Sequence, residues 1–227
     1  MFKKAAMAAG LLLQTASVTA PAAGEEPRPL RNDPVCAGNL SCRPLTPGEI
    51  RMAKTIFRDT VDYGAVRIYQ APYSILRLRG AAASAPDGNI YIHVEDLSSA
   101  DYSKAAVKKQ KAFIHEMTHV WQYQKGVNLY AADMALTLKT PFNYKANYEY
   151  KIDGRPFKEY STEQQAKIAE DFFGTVELVR SLTGEKDKTI EAARILACQD
   201  LFKMKQVLQD HLPVKMPGAC KMPGLQF

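Results

Sequence analysis

Apolar residues recur every three or four positions over long stretches of the chain, which is the spacing of amphipathic helices. The clearest stretch, residues 104–124, contains neither proline nor glycine and is followed by Gly126, a residue type that often ends a helix. A shorter helix should begin at Thr46, which has capping-box spacing with Glu49 and precedes a proline. The same apolar spacing predicts further helices over residues 128–140, 162–182 and 188–208.

Alternation of apolar and polar residues predicts only a few strands. Residues 65–69 and 89–93 alternate in this way, and Asp87-Gly88 supplies a turn before the second segment. Residues 148–152 and 156–160 are predicted to form a β-hairpin with its turn at Gly154. Together these elements indicate an α+β fold that is mainly helical, with a small antiparallel or mixed sheet.

His115-Glu116-Met117-Thr118-His119 lies within the predicted helix over residues 104–124. Positions i and i+4 lie on one face of a helix, so both imidazoles can reach a single metal ion. Glu116 is rotated by about 100° from His115, so its carboxylate lies beside the metal, where it can accept a proton from an attacking water. This pattern indicates zinc-dependent hydrolysis. The structural alternative is two ordinary helix histidines beside a solvated glutamate.

Catalytic zinc is usually held by three side chains, so a third protein ligand is needed. Glu163 is the best placed, because Ser161 and Gln164 have capping-box spacing and put Glu163 in the first turn of a predicted helix. A glutamate there is also favoured by the helix dipole alone, which is its structural alternative. The other candidates are His93, Glu95, Asp101, Asp153, Glu170, Asp171 and His211.

Three segments resemble a known family. They are residues 113–122 around the two histidines, Glu163-Gln164-Gln165-Ala166, and Asp87-Gly88-Asn89-Ile90-Tyr91 ahead of the motif helix. Together they are similar to the zinc metallopeptidase domain found at the C-terminus of some type VI secretion spike proteins, over roughly residues 46–182.

The resemblance implies a zincin-like domain with its sheet beside the motif helix, acting in the bacterial periplasm. His115, His119 and Glu163 would be the Zn²⁺ ligands and Glu116 the catalytic base. Zincins commonly pair an extended substrate with a strand beside the motif helix, and by resemblance residues 89–93 are expected to form that strand.

The first residues have the layout of a cleavable secretory signal. Lys3 and Lys4 precede an apolar run that ends near the small residues Ala20-Pro21-Ala22. We expect a signal peptide over residues 1–23, an extended lead-in over 24–45 and the metallopeptidase domain over 46–227. The run is short for a bilayer span, although an uncleaved anchor is the alternative. The protein is therefore expected to be periplasmic or secreted, without stable membrane insertion.

Four cysteines agree with export, because an even number permits disulfides in an oxidising compartment. We predict the two local pairs, Cys36 with Cys42 and Cys198 with Cys220, each clamping one end of the chain. A four-thiolate zinc site is the alternative, but it would use closer paired spacing.

The net charge does not change these predictions. The formal net charge of +6 becomes +4 without Lys3 and Lys4. Basic residues are not interleaved with aromatic ones, so nucleic-acid binding is not expected. Four lysines at the start of the motif helix should form its solvated face, with attraction of substrate as the alternative; they are Lys104, Lys108, Lys109 and Lys111.

Several tyrosines accompany the predicted hairpin. Any of them could donate a hydrogen bond to the oxyanion of a tetrahedral intermediate, although buried packing is the commoner use of this residue. The candidates are Tyr144, Tyr148, Tyr150 and Tyr160.

The leading hypothesis is an exported zinc metallopeptidase that hydrolyses amide bonds in periplasmic protein or in peptidoglycan stem peptides. One alternative is a non-catalytic zinc-stabilised envelope module that binds cell wall or protein. Another keeps the enzyme but makes it a secreted antibacterial effector. The sequence does not indicate which substrate is used, nor the oligomeric state.

Overall fold

A computed structural model of the chain describes Cys36 and residues 42–70, 82–93, 95–139, 144–185 and 187–221. The predicted signal peptide and all of the predicted lead-in except Cys36 and residues 42–45 lie outside these described residues. The division of the chain at residues 23 and 45 therefore stays a prediction.

Helices dominate the described part of the chain, as predicted. They are α1 Pro47–Phe57, α2 Val107–Gln124, α3 Leu129–Lys139, α4 Thr162–Leu182 and α5 Lys188–Leu208. The predicted capping box of α1 is present, with Thr46 and Glu49 each accepting from the other's backbone N–H. The chain leaves α2 through Gly126, whose φ of 85° is in the left-handed region that glycine tolerates.

Four short strands form one mixed sheet in the described residues. They are β1 Cys42–Pro44, β2 Arg67–Tyr69, β3 Ala83–Ser84 and β4 Ile90–Ile92, in the order β1-β2-β4-β3. β1 and β2 are antiparallel, β2 and β4 parallel, and β3 and β4 antiparallel. The mainly helical α+β fold with a small mixed sheet is thus confirmed.

The predicted hairpin over residues 148–160 is wrong. The segment contains a short 3₁₀ turn, Phe157–Glu159, and no strands. Its backbone carbonyls are instead bound by side chains: Gln164 donates to Glu149 O, and Gln165 donates to Phe157 O and Tyr160 O. Because glutamines at the start of α4 satisfy these groups, the segment needs no cross-strand ladder.

The core lies between α2, α4 and α5, with the sheet on the other side of α2. α2 buries Phe113, Ile114, Met117 and Val120, and α4 buries Ile168, Ala169, Phe172 and Phe173. The two helices contact each other more extensively than any other pair, so side chains from both can meet at fixed positions. No helix in the described ranges has the length and apolar character needed to cross a bilayer.

A buried ion pair fastens the sheet and α1 to the segment that leads into α2. Arg43 in β1 donates from both terminal nitrogens to Glu49, at 2.8 and 2.7 Å, and the Glu49 side chain is fully buried. The same carboxylate accepts from the backbone N–H groups of Thr46 and Tyr102. Both oxygens are therefore fully used, as burial of a charge requires.

Both predicted disulfides are confirmed. Cys36 pairs with Cys42, and Cys198 in α5 pairs with Cys220. The first ties residue 36 to the start of β1, and the second ties the segment after α5 back onto that helix.

Candidate metal centre

α2 carries the two histidines and Glu116 in its most buried part. Every residue from 113 to 122 is buried, because α2 lies between the sheet and α4. His115, Glu116 and His119 are each less than a tenth exposed. Polar side chains in such a position need partners, and α4 supplies them for the two histidines.

Glu163 extends from the first turn of α4 towards both histidines. Its Oε2 lies 3.2 Å from His115 Nε2 and 3.4 Å from His119 Nε2. The predicted capping box of Ser161 and Gln164 begins α4 at this point and fixes the root of the side chain. Of the candidates for third ligand, the structure brings Glu163 together with both rings.

The separations fit a tetrahedral zinc site. Zinc bonds of about 2.0–2.1 Å hold neighbouring ligand atoms about 3.3 Å apart, close to the two distances from Glu163 Oε2. Ligand atoms of His115, His119 and Glu163 all lie within 4.8 Å of one another. Two imidazole nitrogens and one carboxylate oxygen are also donors that zinc accepts.

Two further residues contact the Nδ1 atoms of the histidine rings, whose Nε2 atoms face Glu163. Glu170 Oε2 lies 3.2 Å from His115 Nδ1, and Gln122 Oε1 lies 2.8 Å from His119 Nδ1. Both oxygens are acceptors, so each Nδ1 carries the hydrogen and each Nε2 is left to bind a cation. Gln122 is itself held, since its amide donates to Thr162 O and to Gln165 Oε1.

The sequence predicts neither of these roles. It offers Glu170 only as a possible ligand, and no motif points to Gln122. The signal was nevertheless present in the spacing, because Glu170 follows Glu163 by two helical turns and so lies on the same face of α4.

Two lysines connect Glu170 to the surface of the α2–α4 pair. Lys167 donates to Glu170 at 2.9 Å and to Asp171 at 2.7 Å, and Lys111 of α2 lies 3.4 and 3.2 Å from the same two carboxylates. Tyr150 donates to Asp171 as well. Lys111, predicted to be on the solvated face of α2, is therefore part of an ion-pair network behind His115.

Glu116 is buried beside the histidines and has one oxygen without a partner. No side chain or backbone group in the described ranges donates to its Oε2. Burial raises the pKa of this carboxyl, opposed by the positive charge of the neighbouring imidazoles. Burying a carboxylate oxygen without a hydrogen-bond donor costs free energy of folding. Glu116 is therefore a candidate for a functional role.

Protonation of the metal-free centre is set by its carboxylates. Burial by itself lowers the pKa of His115, but hydrogen bonds to Glu163 and Glu170 outweigh it and raise this pKa to about 10. Burial likewise opposes the charge on Glu163, yet the two imidazoles hold its pKa well below the usual range. The cluster thus attracts positive charge, whether protons or a metal cation.

The centre opens into a cleft of about 600 Å³, measured out to open solvent. One wall is β3 and the residues after it, and the other is the start of α3. Tyr148 completes the lining, with its ring 5.7 Å from that of His115. The cleft is lined by Ala83, Ser84, Ala85, Pro86, His115, Glu116, His119, Leu129, Tyr130, Asp133, Tyr148, Thr162 and Glu163.

The four tyrosines considered for oxyanion binding differ in position. The hydroxyl of Tyr150 donates to Asp171, and that of Tyr160 donates to Lys151 O, so both are used in packing. Tyr148 lines the cleft, and the oxyanion role stays a prediction for it. The side chain of Tyr144 lies outside the described residues.

The remaining candidate ligands contact residues outside the three-ligand cluster. His93 Nε2 lies 2.8 Å from Ser84 Oγ, and Asp101 caps the turn that precedes α2. Asp153 pairs with Arg155, and the His211 ring packs beside Phe157. None of them, nor Glu95 or Asp171, joins the three clustered ligands within the described ranges.

The strand expected beside the cleft is a different one from that predicted. β4, within residues 89–93, is paired on both sides, with β2 and β3, so its backbone groups are already used. Among the described strands, β3 is at one edge of the sheet, and its residues line the cleft. The sequence does not predict β3, because two residues are too few to show an alternating pattern.

The fold and the centre together define a class of protein. It is a mainly helical α+β protein in which a His-Glu-x-x-His helix and a glutamate from a second helix meet in one cleft. No protein-family model matches the chain.

Comparison with known proteins identifies the family. The chain is 39% identical over 132 residues to the type VI secretion system spike protein VgrG2b of Pseudomonas aeruginosa, and the match covers 58% of this chain but 13% of that protein. It also matches the solved effector domain of Pseudomonas aeruginosa VgrG2b, with 32% identity and a TM-score of 0.54, over 70% of this chain and 83% of that domain. The chain therefore belongs to the family of the VgrG2b effector domain.

Proposed function

We propose that the protein is a secreted zinc-dependent metallopeptidase that acts as an effector on amide bonds. The observation that carries this proposal is the convergence of His115, His119 and Glu163 at separations suited to zinc, with Glu116 buried beside them. The cleft beside this group is open to solvent, so a substrate can approach the three ligands and Glu116.

Zinc would be held by Nε2 of both histidines and by the Glu163 carboxylate. Bound there, zinc supplies Lewis acidity, which polarises a carbonyl and makes water a nucleophile near neutral pH. Glu170 and Gln122 keep the imidazoles in the tautomer that exposes Nε2.

Glu116 is the proposed general base. Its unpartnered Oε2 is free to accept the proton of an attacking water, and a buried carboxyl with a raised pKa can then pass that proton to the leaving amine. β3 lies at the edge of the described sheet beside the cleft, where a substrate backbone would pair with it.

A zinc site that only stabilises the fold is the alternative function. Structural zinc usually has four protein ligands, whereas the described residues supply three clustered ones beside an open cleft. This difference supports catalysis over a purely structural role.

The homologues support an effector over a resident envelope enzyme. Both matches are to VgrG2b of Pseudomonas aeruginosa, which is named as a type VI secretion system spike protein, and the solved structure is of its effector domain. We therefore propose association with a type VI secretion system as well, with peptide or peptidoglycan as the substrate.

Replacement of Glu116 by Gln tests the mechanism. The variant should retain one zinc per chain, measured by elemental analysis, and lose hydrolysis of denatured casein and of purified murein sacculi by at least about 100-fold. Glu177→Gln on α4, whose side chain pairs with Arg180, is the matched control and should keep full activity. Turnover at the wild-type rate by Glu116→Gln would refute the proposal.

The effector role needs a separate test in cells. Expression of the protein in the bacterial periplasm should slow growth, and Glu116→Gln should remove the effect at equal protein levels. Growth inhibition that persists in the inactive variant would show that hydrolysis is not the cause.

A further inference from the structure

We propose that a second cavity beside the metal cleft is a substrate subsite for an apolar side chain that has a carboxylate next to it. This inference rests on the proposed peptidase function and extends it to substrate class. The cavity, called here the aromatic pocket, measures about 1000 Å³ out to open solvent. Its lining consists of Trp121, Lys125, Val127, Ala132, Ala135, Leu136, Phe157, Lys158, Tyr160, Ser161, Thr162, Gln165 and His211.

Aromatic rings line the aromatic pocket. Phe157 lies between Trp121 and His211, with ring centroids 6.2 and 5.5 Å apart respectively. Trp121 and Phe157 are almost fully buried, so their rings are held rigidly. α3 adds Ala132, Ala135 and Leu136 as an apolar wall. Such a lining favours a large apolar side chain.

The charged side chains in the lining are both cationic. Lys125 and Lys158 line the aromatic pocket, and neither makes an ion pair with any described residue, in contrast to Lys111 and Lys167 behind His115. No carboxylate of the described residues lines this pocket. An anionic group on the ligand would therefore be attracted without competition from the protein's own acids.

The aromatic pocket adjoins the metal cleft. Thr162 lines both cavities, and it directly precedes the ligand Glu163, so their Cα atoms are about 3.8 Å apart. α3 also borders both, with Leu129, Tyr130 and Asp133 on the cleft side. A peptide held in the cleft spans about 3.3 Å per residue, so a residue a few positions from the scissile bond can enter the pocket.

This chemistry favours polypeptide over peptidoglycan. Stem peptides carry carboxylates but no aromatic or branched apolar side chain, so they would match the lysines but not the apolar part of the lining. A protein segment with a large apolar residue next to Asp or Glu satisfies both the rings and the lysines.

Cleavage of a defined peptide library by the zinc-loaded protein tests the proposal. Mass spectrometry of the products should show a large apolar residue adjacent to Asp or Glu at one fixed distance from the cut. Quenched peptides with Phe-Glu, Phe-Gln and Ser-Gln at that position should then show KM rising in this order.

Charge reversal of the two lysines separates this subsite from general electrostatics. The double variant Lys125→Glu, Lys158→Glu should raise KM for the Phe-Glu peptide by about 5- to 30-fold, with kcat and KM for Phe-Gln nearly unchanged. Lys188→Glu, Lys215→Glu is the control, because both residues are exposed, line neither cavity and change the net charge equally. Calorimetry with Glu116→Gln gives the same comparison for binding without turnover.

Equal KM values for the three peptides, an equal effect of both lysine pairs, or hydrolysis of murein alone would overturn the subsite. Absence of hydrolysis by the wild-type protein, with charge-dependent binding of the Phe-Glu peptide retained, would instead reject the peptidase function and leave the pocket as a binding site for this class of peptide.

Discussion

At the scale of single residues, the centre depends on hydrogen bonds behind its ligands as well as on the ligands themselves. Each histidine has one nitrogen towards Glu163 and the other against an acceptor, Glu170 or Gln122. These acceptors fix both the tautomer and the ring orientation, so their loss should weaken metal binding without removing a ligand.

Glu170→Ala should weaken zinc binding by about 10- to 100-fold, and Glu170→Gln by less, because the amide oxygen can still accept from His115 Nδ1. Competition with a chromogenic chelator measures both affinities. Glu177→Ala on the same helix should bind zinc like the wild type. Unfolding of the metal-free variants tests for a general loss of structure, since Lys111 and Lys167 also lose a partner.

Zinc affinity should fall as the pH is lowered. In the metal-free protein the carboxylates raise the pKa of His115 to about 10, so near neutral pH a cation must displace a proton from this ring. Lower pH strengthens that competition, and higher pH relieves it. Calorimetry from about pH 6 to about pH 8, in buffers of different ionisation enthalpy, should show proton release on binding. An affinity that does not change over this range would contradict the assignment of His115 as a ligand.

At the scale of secondary-structure elements, the buried Arg43–Glu49 pair holds three parts of the chain together. It lies where β1, α1 and the turn before α2 meet, and Glu49 has no exposed surface. Breaking a buried pair leaves a charge without its partner, which costs far more than losing an exposed pair.

Glu49→Gln should therefore lower the free energy of unfolding by about 3–5 kcal/mol in urea denaturation. Asp59→Asn is the comparison, because Asp59 pairs with Lys54 at the surface and is largely exposed. That change should leave the free energy of unfolding nearly unchanged, because exposed ion pairs contribute little to stability. Similar losses in the two variants would mean that the Arg43–Glu49 pair contributes little.

At the scale of the whole molecule, the two disulfides clamp the described chain at both ends while the centre lies between them. The ligands come from α2 and α4, and neither helix contains a cysteine. Stability and metal binding should therefore respond separately to loss of a disulfide.

Cys198→Ser with Cys220→Ser opens a loop of 22 residues and should cost about 3 kcal/mol. Cys36→Ser with Cys42→Ser opens a loop of only 6 residues and should cost about 2 kcal/mol. Thermal unfolding ranks the two variants, and zinc affinity should stay within about twofold of the wild type in both. A large loss of affinity would mean that the clamps help to form the centre.

Much of this architecture was predictable because the signals are local. The helices over 162–182 and 188–208, the caps at Thr46 and Ser161, and the stop at Gly126 each follow from a few neighbouring residues. The hairpin failed for the opposite reason. Its backbone partners are Gln164 and Gln165, and no periodicity reports a side chain that competes for backbone hydrogen bonds.

The sequence by itself determined the helices, the pairing of His115 with His119 on one face of α2, and Glu163 as the leading third ligand. Only the tertiary structure decided that Glu170 and Gln122 stand behind the rings, that β3 and not β4 borders the cleft, and that the aromatic pocket adjoins it. The reason is physical: helix periodicity is fixed by neighbouring residues, whereas contacts between α2, α4 and the sheet depend on how distant surfaces pack.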